Sequence, residues 1–313
     1  MEKTIFIIGS NGQDGQVLQS LLKFENARVF RKNRSHILTP EGHIISNSTN
    51  KDVETIFRTA IIDELYFFAA PNYSASNNLE IPIGVEIIDN INLISDELIS
   101  ILDLIVKFQP SIKIFFASSA LVFGEPSQFP QDEKTKFAPQ EIYGLFKKLC
   151  QDILIYYRDT KSLFIVIGVL YPHESEYRKS SFLLPTIIRH AFNAQFDDEL
   201  RLNIANLEFK REWNCAYQVV LASKKLLNLK TPDLYVIGSG KQFSVGEVCQ
   251  IVYSFFNLNY EKHVVLSEHK IMSRSSNLIA DPEKILSRIG FYPDGDVQSL
   301  VSRICSKMSL GAK

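Results

Sequence analysis

Residues 4–15 read TIFIIGSNGQDG, and this stretch decides the fold. An apolar, β-branched run (4–8) leads straight into a GxxGxxG turn (9–15), and an amphipathic run (16–23) follows. Glycines at such a turn let the backbone bend tightly and approach a pyrophosphate, while the helix behind them offers free N–H groups and the positive end of its dipole. The order of strand, glycine turn and helix predicts the first βα unit of a dinucleotide-binding fold; an ordinary glycine-rich loop is the alternative.

Short β-branched or aromatic runs alternate with longer amphipathic runs through the first half of the chain. The predicted strands are 4–8, 27–30, 64–68, 113–117 and 163–169, and the predicted helices between them are 16–23, 52–60, 88–108 and 143–157. This alternation predicts an α/β fold, a Rossmann-type doubly wound parallel sheet with helices on both faces. Residues 1–171 form the predicted dinucleotide-binding domain.

The second half of the chain has a less regular pattern. Helices are predicted over 185–192, 214–227 and 244–256, and a strand over 235–238. We interpret 172–313 as a smaller, mainly substrate-binding region, from which about 233–257 return to the main sheet.

Composition excludes several classes of protein. The 313 residues are 45% apolar and 22% charged with a net charge of −1, so no overall field attracts nucleic acid or an anionic membrane. The four cysteines form no CxxC pair, which argues against a metal site or a disulfide framework and favours a reducing compartment. No apolar stretch reaches the roughly 20 residues that span a bilayer, and the first strand is too short for a signal peptide. A cytoplasmic location is expected.

The loop after the second strand is basic. A carboxylate at that point would bind the ribose 2′-hydroxyl of NAD, but residues 31–35 read RKNRS. Arginine there accommodates a 2′-phosphate, which a guanidinium can bind through two hydrogen bonds. The sequence therefore favours NADP(H) over NAD(H), with Arg31 and Arg34 as candidates between which it does not choose. A solvated basic loop is the alternative.

A YxxxK pair, Tyr143 and Lys147, lies on a predicted helix. The spacing of four places both side chains on one helical face. A tyrosine with a pKa near 10 is a poor acid or base at neutral pH, and a nearby ammonium is expected to bring that pKa toward the working range. Ser119 ends the preceding strand and is expected to hydrogen-bond the substrate oxygen, with Ser118 as the alternative. Ser119, Tyr143 and Lys147 are the predicted catalytic residues.

These motifs resemble the extended short-chain dehydrogenase/reductase family, and most closely its GDP-mannose 4,6-dehydratases. The resemblance spans most of the chain: QDG in the glycine turn, DELY followed by Ala69 and Ala70, YGLFK (143–147), GVLYPHES (168–175) with Arg178, NL and KREW (206–213), and YVIG with SV (235–245). It completes the predicted cofactor-binding set, which is Gly9, Asn11, Gly12, Gln13, Asp14, Gly15, Arg31, Arg34, Ala69, Ala70, Tyr143 and Lys147.

One departure from those dehydratases concerns the chemistry. They follow a catalytic threonine with a polar residue and then a glutamate that transfers protons during loss of water. Here Ser119 holds the threonine position and Leu121 the glutamate position, and SSALVFG (118–124) is similar instead to sugar 4-epimerases and 4-ketoreductases. The nearby Glu125 and Glu133 are expected in the following loop.

We therefore expect an NADPH-dependent reductase of a nucleotide-linked 4-keto-6-deoxy sugar, acting in polysaccharide biosynthesis. A nucleotide-sugar 4-epimerase, an atypical GDP-mannose 4,6-dehydratase and a non-catalytic NADP-binding protein stay open as alternatives. The resemblance implies a GDP-linked substrate held by Ser119, His173, Asn206, Arg211 and Arg274, with Arg211 at the diphosphate. It also implies a homodimer formed through the helices predicted over 88–108 and 143–157.

Overall fold

Fourteen strands and eleven α-helices make up the described part of the chain. The structure is a computed structural model that describes residues 2–70, 83–267 and 278–311. In chain order the strands are β1 (Lys3–Ile8), β2 (Ala27–Lys32), β3 (His36–Leu38), β4 (Ile44–Ser46), β5 (Glu64–Phe67), β6 (Lys113–Ser119), β7 (Phe164–Leu170), β8 (His173–Glu174), β9 (Leu202–Ile204), β10 (Lys210–Glu212), β11 (Asn214–Cys215), β12 (Leu234–Ile237), β13 (Gln242–Ser244) and β14 (Val264–Leu266). The helices are α1 (Gln13–Leu22), α2 (Asn50–Thr59), α3 (Ile83–Asn92), α4 (Ser100–Phe108), α5 (Ile142–Lys161), α6 (Leu183–Ala194), α7 (Ala216–Leu226), α8 (Val245–Phe255), α9 (Tyr260–His263), α10 (Glu283–Ile289) and α11 (Val297–Gly311).

Eight of these strands form one sheet in the order β12-β7-β6-β5-β1-β2-β3-β4. Neighbours from β12 through β2 are parallel. Strands are added outward from β1 first in one direction and then in the other, so the topological switch point, where such sheets bind ligands, lies between β1 and β5. The predicted α/β fold with a Rossmann-type sheet is confirmed.

Both faces of the sheet are buried beneath helices, as the side chains of β1 illustrate. Its side chains alternate, with Phe6 in an apolar cluster that includes residues of α2, α4 and α5. Ile7 lies in a second cluster, which includes residues of α1, α7 and α10. Because helices cover both faces, the central strands read as continuous apolar runs rather than as alternating patterns. The glycine turn and the carboxyl ends of β5 and β6 then meet at one edge.

A third apolar cluster lies outside the sheet and joins α6, α8 and α11, through residues such as Leu184, Val248 and Val301. Within 233–257, from which some elements were expected to return to the main sheet, the strand and the helix lie in different places. Strand β12 pairs with β7, but the apolar face of α8 packs on α6 and α11 instead. Conversely, α7 and α10 lie on the sheet although they follow residue 171.

Two local features differ from the sequence prediction. The helix predicted over 88–108 is the run α3–α4 interrupted by a π-helical stretch, Leu93–Ile99, a form that is frequent at functional sites. Beyond β2, the short strands β3 and β4 add an antiparallel hairpin to the edge of the sheet. In none of the described ranges is a helix both long and apolar enough to cross a bilayer.

Candidate active site

The glycine turn forms a cradle that side chains would fill. Gly9 has a φ of +85°, and a Cβ on it would lie 2.6 Å from the backbone nitrogen of Ala69. A Cβ on Gly15 would lie 2.5 Å from the Gly9 carbonyl oxygen. Gly12 precedes α1 without a side-chain cap, so the N-terminus of that helix faces the cradle, as binding of a pyrophosphate requires. The turn therefore fits a dinucleotide.

Two side chains predicted to bind the cofactor are directed elsewhere. The Gln13 amide donates to the His173 carbonyl oxygen at 3.1 Å and accepts from the Ser175 hydroxyl at 3.2 Å. The Asp14 carboxylate lies 2.9 Å from Nε2 of His173. Both side chains therefore tie α1 to residues 173–175, and binding of the cofactor by Gln13 and Asp14 stays a prediction.

The basic loop after β2 presents its two arginines differently. The Arg34 side chain is 83% exposed and pairs with Asp89 at 3.1 Å. The Arg31 Nε is buried and has no hydrogen-bond partner among the described residues. A buried guanidinium nitrogen without a partner is the group that an anionic ligand would satisfy, so the structure favours Arg31. Lys32, which no sequence motif singled out, is buried and bound to Glu97 of the π-helical stretch at 2.6 Å.

Lys147 is buried beneath Tyr143 and bonds away from it. Its Nζ donates to the Ala117 carbonyl oxygen at 2.6 Å and lies 5.7 Å from the centre of the Tyr143 ring. Burial lowers the pKa of Lys147 to about 8. Burial raises the pKa of Tyr143 above its ordinary value, and the Asp14 charge adds to that increase. The expected lowering of the Tyr143 pKa by Lys147 is therefore not what the structure shows, and Tyr143 is a protonated phenol.

A glycine brings the tyrosine helix against the end of β6. A Cβ on Gly144 would lie 2.5 Å from the Leu121 carbonyl oxygen, so α5 contacts the 3-10 turn Ala120–Phe123 directly. Ser119 begins that turn, where its hydroxyl accepts from the Leu121 backbone N–H at 3.3 Å. The residue after Tyr143 thus packs against the turn that Ser119 caps.

The neighbouring serine has a structural role. Ser118 is 4% exposed, and its hydroxyl accepts from the buried Gln151 amide at 2.5 Å. Of the two serines, Ser119 is thus the one available to a substrate.

A small cleft lies beside the tyrosine and lysine. Its walls include Ala69 and Ala70, which follow β5, together with side chains from α5 and from the π-helical stretch, namely Tyr143, Phe146, Lys147, Cys150, Leu93, Ile94 and Leu98. The cleft is mostly apolar, as ligand pockets usually are. The two alanines, predicted only through the resemblance, thus line the same cleft as Tyr143 and Lys147.

Predicted substrate residues lie farther along the chain. Arg211 stacks over the Trp213 ring at 4.6 Å and donates to Glu174 at 3.2 Å. Arg178 lies 3.4 Å from the other oxygen of that buried carboxylate. Two guanidinium groups therefore surround one carboxylate, which leaves an excess of positive charge suited to a phosphate.

The structure gives the other predicted substrate residues no comparable link to a phosphate site. Asn206 is exposed, and its side chain accepts from the Glu208 backbone N–H at 2.9 Å. His173 contacts Asp14 rather than the arginine pair. Arg274 lies outside the described residues.

The site combines a glycine turn that leads into a helix with a tyrosine–lysine helix that packs against a serine turn. On a sheet of this order, these features define an enzyme of the extended short-chain dehydrogenase/reductase type. Solved structures share the fold. RMD from Pseudomonas aeruginosa complexed with NADPH has a TM-score of 0.80 at 16% identity, over 99% of each chain. UDP-N-acetylglucosamine 4-epimerase from Methanobrevibacter ruminantium M1 has a TM-score of 0.81 at 16% identity, also over 99% of each chain.

Sequence comparison narrows this class. The chain belongs to the GDP-mannose 4,6 dehydratase family, whose family model matches residues 6–304. GDP-mannose 4,6 dehydratase 2 of Caenorhabditis elegans is 26% identical, over 80% of this chain and 70% of that protein. GDP-mannose 4,6 dehydratase 1 of Arabidopsis thaliana is 24% identical, over 96% of this chain and 88% of that protein.

Proposed function

We propose that this protein is an NADPH-dependent reductase of a nucleotide-linked 4-keto-6-deoxy sugar. The observation that carries the proposal is the turn after Ser119, which presents Leu121 where the dehydratases that the sequence resembles hold a glutamate. Leu121 packs with an apolar cluster that includes Val122 and Phe123. A hydrocarbon side chain at this position cannot remove the proton whose loss begins elimination of water.

Nearby acids are engaged elsewhere. The Glu133 carboxylate accepts from the Val236 backbone N–H at 2.8 Å. Glu125 is exposed, and Asp14 is paired with His173. None of these three carboxylates, all within the described ranges, replaces the missing glutamate beside Ser119.

The residues that remain suit reduction of a ketone. A bound nicotinamide dinucleotide would supply the hydride. Tyr143, whose pKa is raised by burial, holds its proton and donates it to the developing alkoxide on the sugar. Ser119 donates a second hydrogen bond to that oxygen, which stabilises its negative charge. Lys147 holds the ribose hydroxyls and adds positive charge below the tyrosine.

The nucleotide end of the site supports a diphosphate-linked substrate. Arg211 and Arg178 converge on the buried Glu174, and a diphosphate would satisfy both guanidinium groups through charge-assisted hydrogen bonds. Guanine is the proposed base, because the sequence relatives are named as acting on GDP-mannose.

NADP(H) is the proposed cofactor. The buried and unpartnered Nε of Arg31 supports a ligand with a 2′-phosphate. The structural neighbour RMD was solved with NADPH, which is compatible with the same choice.

A nucleotide-sugar 4-epimerase is the second candidate. It would use the same Ser119, Tyr143 and Lys147, and epimerases are among the structural neighbours. An epimerase returns its hydride to the substrate, so net consumption of NADPH separates it from a reductase. A purely NADP-binding protein would have no need of Ser119 and Tyr143 together with Lys147.

We also propose a cytoplasmic homodimer. Apolar side chains on α3 and α5 are exposed, among them Ile88 (58%), Ile91 (50%), Leu145 (56%) and Leu149 (45%). These two helices contact each other, so their exposed side chains can form one surface, and a second copy of the chain would bury it. None of the four cysteines, which all lie in the described ranges, is in a disulfide, as is usual in a reducing compartment.

The test is a set of three reactions with purified protein. GDP-4-keto-6-deoxymannose with NADPH, GDP-mannose alone and a panel of UDP-, dTDP- and GDP-sugars are incubated, and products are identified by mass spectrometry and NMR. Consumption of NADPH in proportion to a 6-deoxy product supports the reductase. Water loss from GDP-mannose, or epimerisation with NADPH unchanged, would overturn it.

A further inference from the structure

Asp14 and His173 form an ion pair at the start of α1. The Asp14 carboxylate lies 2.9 Å from Nε2 of His173, and Nδ1 of the same ring lies 2.7 Å from the Tyr171 carbonyl oxygen. A carbonyl and an ionised carboxylate only accept hydrogen bonds. Both ring nitrogens must therefore donate, so His173 is an imidazolium. The two side chains are 17% and 12% exposed, which shields their attraction from solvent.

The place of the pair gives it a consequence for binding. Asp14 is the second residue of α1, the helix whose N-terminus faces the glycine turn. An unpaired carboxylate there would repel the negative charges of a pyrophosphate. With His173 protonated, the pair has no net charge, and the attraction of the helix N-terminus for an anion is preserved.

We propose that His173 is the charge-compensating residue of the dinucleotide site: its proton cancels the charge of Asp14, and affinity for the dinucleotide falls when that proton is lost. The inference rests on the proposed cofactor and deepens it. It moves His173, expected at the substrate, to the nucleotide turn as a positioning residue that acts through Asp14.

Several groups near the pair also carry or acquire charge. They are Arg178 and Glu174 on the segment after β7, Tyr143 and Lys147 on α5, and Cys215 on β11, the strand paired with β8. Burial lowers the pKa of His173, but Asp14 and the hydrogen bond to the Tyr171 carbonyl together outweigh burial and Arg178, so the pKa is raised. Asp14 has a lowered pKa, because His173 and Arg178 outweigh its burial. Lys147, with a pKa lowered to about 8, also loses its charge as pH rises, so the test needs a reference that retains Lys147.

The first test is a double-mutant cycle on affinity for NADPH and NADH, followed by nucleotide fluorescence. His173→Asn leaves the Asp14 charge uncompensated, and we expect both dinucleotides to bind about tenfold more weakly, a factor equal to a one-unit pKa shift. Asp14→Asn leaves a neutral pair and retains most of the affinity. The double variant is also neutral, so it regains most of what His173→Asn loses.

A matched control distinguishes the effect of the charge of the pair from the effect of a contact that merely attaches α1 to the segment after β7. Ser20 and Tyr177 join α1 to the same segment after β7 through an uncharged hydrogen bond of 2.8 Å. Tyr177→Phe removes that bond, and we expect dinucleotide affinity to stay unchanged. If attachment were what mattered, Tyr177→Phe would weaken binding and the double variant would be the weakest binder of the cycle.

The second test is the pH dependence of binding and requires only Asp14→Asn. In the unmodified protein, affinity falls as pH rises through the raised pKa of His173, because the pair changes from neutral to negative. Asp14→Asn moves that component to lower pH, because the charge that raised the pKa of His173 is gone, and it retains the component due to Lys147. Identical pH profiles for the two proteins, or no rescue in the double variant, would overturn the inference while the cofactor stands. Failure of the unmodified protein to bind either dinucleotide would overturn the proposed cofactor and the inference together.

Discussion

Tyr143 is the residue on which the proposed chemistry depends. Removing its hydroxyl in Tyr143→Phe removes the proton donor, and we expect kcat to fall by about 100-fold or more, the usual contribution of a general acid. Tyr156→Phe is the control, because Tyr156 is on the same helix but 61% exposed, and it should leave kcat unchanged. Equal activities for the two variants, measured by NADPH consumption, would remove Tyr143 from the mechanism.

Arg31 is expected to determine the preference for NADPH over NADH in binding. Because its guanidinium, unlike that of Arg34, has a buried nitrogen without a partner among the described residues, Arg31→Ala is expected to weaken NADPH binding about tenfold, the loss of one charge-assisted contact. NADH, which lacks the 2′-phosphate, should bind as before. Arg34→Ala, at an exposed side chain, is the control and should change neither Kd. Equal weakening of both dinucleotides by Arg31→Ala would contradict this assignment.

The pKa of Lys147 predicts how kcat/KM changes at alkaline pH. Its pKa is lowered to about 8, so the ammonium is present below that pH and is lost above it. We expect kcat/KM to fall as pH rises through about 8. Because burial disfavours the charged form of Lys147, the ammonium lowers the free energy of unfolding at lower pH. This destabilisation decreases as pH rises and the folded protein loses the charge. A kcat/KM that stays level to pH 10 would show that the ammonium is not used.

Residue patterns in the sequence predicted the catalytic trio and the glycine turn, because both depend on short spacings within one or two elements. They did not predict the partners of buried charges. Lys32 meets Glu97, which is 65 positions away, and Glu174 meets Arg211, which is 37 positions away. Such pairs arise from the packing of separate elements, and a single sequence carries no local signal of them.

Gly144 is where the tyrosine helix depends on close packing with a neighbouring element. A methyl group would lie 2.5 Å from the Leu121 carbonyl oxygen, so Gly144→Ala forces α5 and the turn apart, and such overpacking costs about 1–3 kcal/mol. Both the melting temperature and kcat should fall. Gly84→Ala in α3 meets nothing within 4 Å and should be neutral or stabilising by up to about 1 kcal/mol. Identical melting temperatures for both variants would contradict the close contact.

The central elements could be predicted from periodicity, because apolar β-branched runs between amphipathic stretches are typical of buried strands that alternate with helices. The exceptions have physical causes. Strands β3 and β4 have three residues each, which is too few for an alternating apolar and polar pattern to be recognised in the sequence. The π-helical stretch Leu93–Ile99 keeps the apolar character of a helix and alters only its hydrogen bonding. Helix α8 has an apolar face that suits either the sheet or α6, and sequence alone does not choose.

At the scale of the whole molecule, the exposed apolar surface of α3 and α5 predicts self-association. Leu145→Glu places a charge on that surface, and we expect a dimer to dissociate into monomers in sedimentation experiments, because burying an unpaired carboxylate is unfavourable. Phe196→Glu, at a side chain 80% exposed in the turn after α6, is the control and should remain dimeric. Monomeric unmodified protein would contradict the proposed dimer.

The central claim is that hydride passes from NADPH to a nucleotide-linked keto sugar while Tyr143 supplies the proton. The most direct measurement uses NADPH deuterated at the transferable position of C-4, with GDP-4-keto-6-deoxymannose as substrate and mass and NMR analysis of the product. The account predicts one deuterium at C-4 of each product sugar, with formation of that product abolished by Tyr143→Phe. A product without deuterium, formed while NADPH remains unconsumed, would contradict it.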